Sequence, residues 1–219
     1  MSTVEICVID NALLQKSLNG LQSEDKRKRK SALDELRKLL FCSINRKPSF
    51  FDDHEDVLKA IIWCFGDQSE ACRESAVTLL RDLLLEDVGL HVNLTLLVPV
   101  LSRRLGAIEL IEPSEEVRCS LVELLNAVLK RVQKGILPFF NDIVQILVKT
   151  IVDPYPKIKR ESCECVSALA FAIPENFHMQ SESLVKPLIQ ILTHQQYRVR
   201  VSAILALGML TCYQLACIN

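Results

Sequence analysis

The sequence predicts an all-α fold, a right-handed α-solenoid built from about five HEAT-like helical-hairpin repeats. Three observations support this prediction. A basic tripeptide recurs at nearly even intervals, each copy opens an apolar helical stretch, and the residues that break helices are scarce. The chain of 219 residues contains only 6 glycines and 8 prolines, which leaves room for long helices. Such a period is typical of stacked repeats rather than of a single closed core.

The recurring tripeptide is Arg-x-Ser. From arginine to arginine, the copies are 44, 45, 42 and 40 residues apart. Their defining residues are Arg29 and Ser31, Arg73 and Ser75, Arg118 and Ser120, Arg160 and Ser162, and Arg200 and Ser202. Apolar residues follow each serine at offsets of one, four or five, and eight positions, which mark one face of an α-helix. The pattern therefore predicts the same amphipathic helix five times.

Each of these helices follows another apolar helix and a turn. In the second repeat, for example, Val57, Leu58 and Ile61 precede a turn at Gly66 and Asp67. The unit is therefore helix A, turn and helix B, with a length typical of HEAT and armadillo repeats. Two helices per unit, rather than three, favour HEAT. We expect one array over residues 1–219, with repeats at approximately 1–45, 46–90, 91–135, 136–175 and 176–219.

The Arg-x-Ser tripeptide allows two interpretations, a phosphorylation or phosphate-binding motif and an architectural position. In the architectural case, the arginine reaches a carboxylate or carbonyl of an adjacent turn, and the serine lets helices approach closely. Asp25, Asp67 and Asp153 lie four to seven residues before their arginines, which favours the architectural role. Glu112 and His194 take this place in the third and fifth repeats, so we expect an imperfect ladder.

Charge and hydropathy limit the classes of partner. The formal net charge of −1 gives no overall field that attracts nucleic acid or an anionic membrane. The basic run at residues 26–30 allows a nuclear import signal or a nucleic-acid patch, but one exposed turn of a helix explains it equally well. No signal peptide is visible, and no apolar stretch approaches the roughly 18–20 residues that span a bilayer. We expect a cytoplasmic protein with neither a membrane nor a nucleic-acid partner.

The sequence shows no catalytic or cofactor-binding constellation. It lacks a glycine-rich phosphate loop, a Gly-x-Ser-x-Gly elbow and a His-Glu-x-x-His pair. The nine cysteines are scattered and are expected to be reduced. Cys163 and Cys165, together with His178 and His194, raise the possibility of a metal site. Residues two apart on a helix point to different sides, however, and no Cys-x-x-Cys occurs. We expect no enzyme, cofactor or metal.

The least repeat-like polar stretch is residues 174–184, which links the fourth helix B to the fifth helix A. Its Phe177 and Met179 either staple these two helices together or form a ridge that contacts a partner. In the second case the candidate contact residues are Phe177, His178, Met179, Gln180 and Glu182.

This linker belongs to a longer segment, about residues 153–201, whose amino-acid sequence is distinctive. Residues 159–165, 175–184 and 194–201 resemble the HEAT-repeat dynein axonemal assembly factors. The phrase Phe-His-Met-Gln-Ser-Glu-Ser-Leu within it is too idiosyncratic for a generic repeat. The resemblance implies a non-enzymatic cytoplasmic scaffold that pre-assembles axonemal dynein arms for motile cilia. It implies dynein intermediate or heavy chains as partners, with chaperones or other assembly factors.

Two alternatives stay open. One is a generic HEAT adaptor of the transport-receptor or phosphatase-scaffold type, and the other is a nucleic-acid-binding repeat protein. Residues 205–218 are apolar almost throughout, as in an inner repeat whose neighbour is missing, whereas the chains of the resembling family continue through further repeats. We therefore expect the isolated chain to self-associate or to be only marginally soluble.

Overall fold

The computed structural model describes residues 9–42, 50–86, 90–174, 177 and 182–216, and every regular element in these ranges is helical. The predicted all-α fold is thus confirmed. The α-helices are α1 (Asn11–Gly20), α2 (Lys26–Cys42), α3 (Phe50–Asp53), α4 (Glu55–Trp63), α5 (Glu70–Glu86), α6 (Leu94–Leu101), α7 (Glu115–Val132), α8 (Phe140–Thr150), α9 (Pro156–Ala172), α10 (Glu182–Gln190) and α11 (Tyr197–Ala216). Shorter helical turns of other pitch are Cys64–Gly66, Ser102–Gly106, Gln133–Phe139 and Ile191–Thr193.

The chain divides into two compact units, Met1–Leu96 and Leu97–Asn219, with the boundary inside α6. In the first unit, α1 pairs with α2, α4 pairs with α5, and α2 packs against α5. In the second unit, α7, α9 and α11 form one layer, while the turn Ser102–Gly106, α8 and α10 form the other. Each unit therefore consists of the helix A and helix B pairs that the sequence period predicts. The division into five repeats and the handedness stay predictions.

Local signals explain where several helices begin. Asp10 caps α1, and its carboxylate accepts two backbone N–H groups of the first turn. Ser114 caps α7, because its Oγ accepts the N–H of Val117 at 3.3 Å. Glu115 and Glu116 follow in the first turn of α7, where their negative charge favours the positive end of the helix dipole. Among the described residues, no helix is long and apolar enough to cross a membrane.

Helix α11 exposes an apolar stripe. Tyr197, Val201, Ile204 and Leu205 are 62%, 48%, 59% and 63% exposed, respectively. Their spacing places them on one face of the helix. Its opposite face is buried, with Ala203 and Ala206 fully inaccessible to solvent. The stripe is a contiguous apolar surface of the kind that marks an interaction site or a tendency to aggregate.

We expect the isolated chain to self-associate through this stripe. The double substitution Val201→Glu and Ile204→Glu should shift it towards monomer, because like charges replace an apolar contact surface. Ile189→Glu is the matched control, since Ile189 is 53% exposed but lies on α10. Size-exclusion chromatography with light scattering over a range of concentrations measures the effect. A wild-type chain that remains monomeric throughout would contradict the expectation.

Candidate functional site

The guanidinium of Arg29 links the turn of its own repeat to the turn of the next one. Its Nη1 donates to the carbonyl oxygens of Ser23 and Glu24 at 2.8 and 2.9 Å. Its Nε and Nη2 donate to the two carboxylate oxygens of Asp67 at 2.6 and 2.8 Å. A planar guanidinium suits this two-sided contact, because its donors point in fixed directions.

Arg118 repeats the same geometry in the second unit. Its Nη1 donates to the carbonyl oxygens of Glu112 and Pro113 at 3.0 and 2.9 Å. Its Nε and Nη2 donate to Asp153 at 2.8 and 3.3 Å, and both side chains of this ion pair are only 6% exposed. We call the contacts of Arg29 with Asp67 and of Arg118 with Asp153 the turn ladder. They are the contacts that the architectural interpretation of Arg-x-Ser predicts.

The half of this geometry that lies within one repeat recurs more widely. Nη1 of Arg73 donates to the carbonyl oxygens of Asp67 and Gln68 at 2.9 and 3.2 Å. Nη1 of Arg200 donates to those of His194 and Gln195 at 2.8 and 2.9 Å. In each case the arginine closes the turn between helix A and helix B. These four arginines therefore make contacts within the fold and are not a row of free recognition groups.

The first residue of each turn has a second role. Its side chain accepts the backbone N–H of the residue two positions later, which holds the turn in shape. The acceptors are Ser23, Asp67, Glu112, Asp153 and His194. For Asp67, burial alone would raise the pKa, but hydrogen bonds from Arg29 and from the N–H of Ser69 outweigh it and hold the pKa below its ordinary value. The carboxylate thus stays ionised and pairs with the guanidinium.

In the fourth repeat, the equivalent of the turn-closing arginine is Lys159, not Arg160 as the sequence pattern predicts. Lys159 lies six residues after Asp153, as Arg118 lies six after Glu112, and it is 9% exposed. One basic residue per repeat donates its backbone N–H to the carbonyl just before helix B, namely Arg29, Arg73, Arg118, Lys159 and Arg200. The steps between them are 44, 45, 41 and 41 residues, which is more regular than the Arg-x-Ser spacing.

This register also separates Ser162 from the other serines. Ser162 lies three residues after Lys159, in line with Ala32 and Ala76, and is fully buried like them. Among the residues that the structure describes, its Oγ has no hydrogen-bond partner. The serines of the other copies are exposed or half-buried, namely Ser31, Ser75, Ser120 and Ser202. Arg160 and Ser162 therefore match the tripeptide in sequence only. They lie one residue after the positions that are structurally equivalent to the arginine and serine of the other copies.

A groove lies between α7, α9 and α11 on the helix B side of the second unit, and we call it the B-helix groove. Its volume is about 450 Å³. The apolar part of its lining comprises Leu129, Ala168, Phe171, Ala172 and Leu205. Phe171 is 70% exposed and Leu205 is 63% exposed, which is unusual for large apolar side chains. The feature of the sequence that could have indicated this groove is Phe171, an aromatic residue that lies off the buried stripe of α9.

The lining of this groove includes the carboxylate of Glu164 and the ammonium of Lys130, and further charged residues lie near Glu164. Glu123 pairs with Lys157, whose Nζ lies 2.6 Å from Oε1 of the glutamate. Glu164 accepts a hydrogen bond of 3.4 Å from Nδ2 of Asn126. Burial raises the pKa of Glu161, and the neighbouring Glu164 and Glu123 raise it further, against the opposing effects of Lys157 and Arg160. Carboxylates and cations therefore lie side by side at this edge of the groove.

Comparison with known proteins identifies the family of this fold. Residues 20–216 match a family described as "Dynein axonemal assembly factor 5-like, TPR repeats". The chain belongs to the dynein axonemal assembly factor 5-like family. Dynein axonemal assembly factor 5 is 38% identical over 197 residues in Xenopus laevis and 36% identical over 213 residues in Homo sapiens. These matches cover 89% and 94% of this chain but only 23% and 25% of the relatives. The chain thus spans about a quarter of their length.

Solved structures place the fold among helical repeat proteins. Computationally designed armadillo repeat proteins for modular peptide recognition match with a TM-score of 0.64 at 18% identity, over 90% of this chain and 81% of theirs. A designed armadillo repeat protein in complex with a (KR)4 peptide matches with a TM-score of 0.57 at 15% identity, over 90% of this chain and 99% of that chain. The family description names TPR repeats, which are typically about 34 residues long. The period of 41 to 45 residues is that of HEAT and armadillo repeats.

The linker through which the chain resembled this family contributes to the core. Phe177 is fully buried, and its ring meets that of Phe140 edge to face, with centroids 6.2 Å apart. This position favours the stapling interpretation of Phe177. Glu182 begins α10 and is exposed. The candidate contacts His178, Met179 and Gln180 lie outside the described residues.

The cysteine pair and the basic run occupy ordinary structural positions in this family member. Cys163 and Cys165 are buried, and burial raises the pKa of the Cys163 thiol to about 12. Over the described ranges, no three His, Cys, Asp or Glu side chains are grouped to hold a metal ion. Within the basic run, Arg29 belongs to the turn ladder, and Lys30 pairs with Asp34 at 2.7 Å.

Breaking the buried rung of the turn ladder should destabilise the second unit. We expect Arg118→Ala to lower the free energy of unfolding by about 3 kcal/mol, because Asp153 keeps its buried charge without a partner. Arg118→Lys should lower the free energy of unfolding less than Arg118→Ala does, since the ammonium keeps a positive charge beside Asp153. It should still lower it, because an ammonium reaches fewer of the same acceptors. Arg160→Ala is the control and should change stability by less than about 0.5 kcal/mol. Urea unfolding followed by circular dichroism measures all three, and equal losses for Arg118→Ala and Arg160→Ala would contradict the register.

Removing the buried hydroxyl of Ser162 should stabilise the fold. We expect Ser162→Ala to raise the free energy of unfolding by about 1 kcal/mol, because no partner within the described ranges compensates the buried Oγ for its lost hydration. In Ser202→Ala, the lost hydroxyl donates to the carbonyl of Arg198 in an exposed position, so this control should be nearly neutral. Thermal unfolding of both variants decides the matter, and a destabilised Ser162→Ala would show that the hydroxyl is needed.

Proposed function

We propose that the chain is a non-enzymatic cytoplasmic scaffold for the pre-assembly of axonemal dynein arms, a process needed for motile cilia. Membership of the dynein axonemal assembly factor 5-like family carries the proposal. The supporting identities are 31% to 38% in four animal relatives, over about 90% of this chain. The proposed partners are axonemal dynein intermediate or heavy chains, together with chaperones or other assembly factors.

The geometry suits a scaffold rather than a catalyst. The turn ladder commits its charged groups to internal contacts, and the buried thiol of Cys163 has a pKa near 12, which keeps it protonated and unreactive. The B-helix groove instead presents exposed apolar side chains beside Glu164 and Lys130, which suits contact with a polypeptide. Peptide recognition has also been designed into armadillo repeat proteins of this fold. A repeat array offers an extended surface on which a partly folded chain can be held.

The generic adaptor and the nucleic-acid-binding alternatives have less support. The relatives are named for dynein assembly, and none of them is named as a transport receptor or a phosphatase scaffold. The basic run at residues 26–30 has Arg29 bonded to Asp67 and Lys30 bonded to Asp34, which reduces the free positive charge available to a phosphate backbone.

Affinity capture from ciliating cells tests the proposal. The tagged chain is expressed beside a tagged designed armadillo repeat protein of similar length as the fold-matched control. Immunoblots then detect axonemal dynein intermediate and heavy chains in each eluate. We expect both dynein chains to be enriched with this chain and absent from the control. Equal recovery from the two baits would overturn the proposal.

A further inference from the structure

We propose that the exposed side of α11 binds a helical hairpin of a partner protein, and that the connecting turn of this hairpin begins with an aspartate or a glutamate. The surface comprises the guanidinium of Arg200 and the apolar stripe of α11. The proposal rests on the proposed function only in that the chain holds other proteins, and it adds the surface and the kind of partner.

Arg200 has the same position in its repeat as Arg29 and Arg118, but half of its guanidinium is unused. Its Nη1 closes the turn of its own repeat with distances of 2.8 and 2.9 Å, which equal those of Arg29. In Arg29 and Arg118, Nε and Nη2 hold both carboxylate oxygens of the aspartate that begins the next turn. Within the described ranges, Nε and Nη2 of Arg200 have no hydrogen-bond partner. This half of the guanidinium is thus preorganised for one carboxylate.

The apolar stripe of α11 is the second half of the surface. The residue four positions after the turn-closing basic residue is at most 1% exposed in the first four repeats, namely Leu33, Val77, Val122 and Cys163. The equivalent residue of α11 is Ile204, which is 59% exposed. On α7 this position is covered by α9, where Sγ of Cys165 donates to the carbonyl oxygen of Val122 at 3.6 Å. A helix B of the partner would lie against Ile204 in the same way.

One partner element supplies both contacts in the second unit. Helix α9 packs against α7, and the turn that precedes α9 supplies Asp153 to Arg118. A hairpin packed on α11 would cover the apolar stripe and place the first residue of its turn beside Arg200. Burial of the stripe removes apolar surface from water, and an acidic residue at the turn satisfies the guanidinium with two hydrogen bonds. A neutral residue there leaves the guanidinium without its ionic partner.

The charge of α11 favours a carboxylate at this place. The helix contains no aspartate or glutamate, and Arg198 and Arg200 lie in its first turn, where the helix dipole is also positive. The charged residues that adjoin the surface on α7 and α9 balance one another, namely Lys130 with Glu164 and Arg160 with Glu161. The excess positive charge therefore comes from α11 itself.

A second copy of the chain fits this surface less well. If α11 paired with α11 of another copy, no carboxylate would reach Arg200 from that helix, because the helix contains none. If the copies packed head to tail, the stripe would meet α2, whose exposed face carries Ser31, Asp34, Glu35 and Lys38. Burial of such polar groups against apolar side chains costs free energy. The self-association expected of the isolated chain therefore satisfies only the apolar half of the surface, and a suitable hairpin should displace it.

A cyclic peptide with the sequence of residues 140–172 is the probe. It contains α8, the turn with Asp153, and α9, and a Gly and Ser linker joins its two ends. The peptide carries a fluorophore, is kept reduced, and is checked for helicity by circular dichroism before use. The matched control peptide carries Asp153→Asn, which removes the charge but keeps an oxygen for the N–H of Tyr155. In fluorescence polarisation with the full chain, the probe should bind at least about tenfold more tightly than the control.

Variants of the chain locate the carboxylate contact. In Arg200→Gln the two peptides should bind equally, because the group that distinguishes them is gone. Arg200→Lys places in this position the residue type of Lys159, its equivalent in the fourth repeat, so the turn should stay closed. It should reduce the difference between the peptides to less than about threefold. Arg198→Gln is the matched control and should preserve the full difference, since Arg198 is an exposed neighbour of the same charge.

Two further variants locate the apolar contact. Ile204→Glu should weaken the binding of both peptides by more than about tenfold, because it places a charge in the centre of the stripe. Ile189→Glu on α10 is the control and should bind as the wild type does. Circular dichroism checks that every variant is folded. The probe should also shift the chain towards monomer in size-exclusion chromatography with light scattering.

Three results contradict the proposal. The first is equal binding of the two peptides to the wild-type chain, including no binding of either. The second is probe binding that survives Ile204→Glu, since the probe would then exchange with the hairpin of the chain itself. The third is self-association that the probe does not reduce, since a second copy would then be the preferred occupant. The dynein capture experiment uses none of these readouts. Hairpin binding without dynein enrichment would refute the proposed function alone, and dynein enrichment without hairpin binding would refute this proposal alone.

Discussion

The contact between an arginine at the start of one helix B and the aspartate of the next turn constrains the rest of each unit. A buried ion pair loses hydration on both sides and gains little unless every donor and acceptor is satisfied. At Arg118 and Asp153 this condition is met, because the guanidinium also bonds to two carbonyls of its own turn and the carboxylate also accepts the N–H of Tyr155. Two turns are thereby joined through one rigid group, which aligns α7 with α9.

That alignment leaves helix B with two different faces. On α9 one face contributes Val166 and Leu169 to the core, where both are fully buried. The other face carries Glu164 and Phe171, whose side chains line the groove and are exposed. Stability thus depends on residues that recur in each repeat. Residues that differ between repeats, such as Glu164 and Phe171, lie on the opposite side of the same helix.

The family assignment gives the class of protein, whereas the structure gives the surfaces that this chain presents. The relatives identify a protein class concerned with dynein assembly, but this chain corresponds to about a quarter of their length. The described helices of this quarter contribute the turn ladder within each unit and the B-helix groove of the second unit. The apolar stripe of α11 shares Leu205 with this groove, and its spacing resembles that of a helix face that packs on a neighbour.

The sequence alone was sufficient for the repeat, the helical class and the family. Period and apolar spacing are local properties, and burial of the same stripe in each helix follows directly from them. The identity of the fourth basic position was not accessible in this way, because Lys159 and Arg160 are adjacent and both satisfy a basic pattern. Only the helix start and the burial of Ser162 separate them. The role of Phe177 was likewise left open between a staple and a ridge until its contact with Phe140 placed it in the core.

Only the tertiary structure determines which residues form the B-helix groove. Leu129, Phe171 and Leu205 are far apart in the sequence and meet because α7, α9 and α11 lie side by side. No local pattern records that Ala168 leaves space beside Phe171, or that Glu161 approaches Glu123 on another helix. Periodicity determines which face of a helix is buried. Which exposed residues become neighbours depends on how the helices pack, because side chains from different repeats share a surface only after that packing is complete.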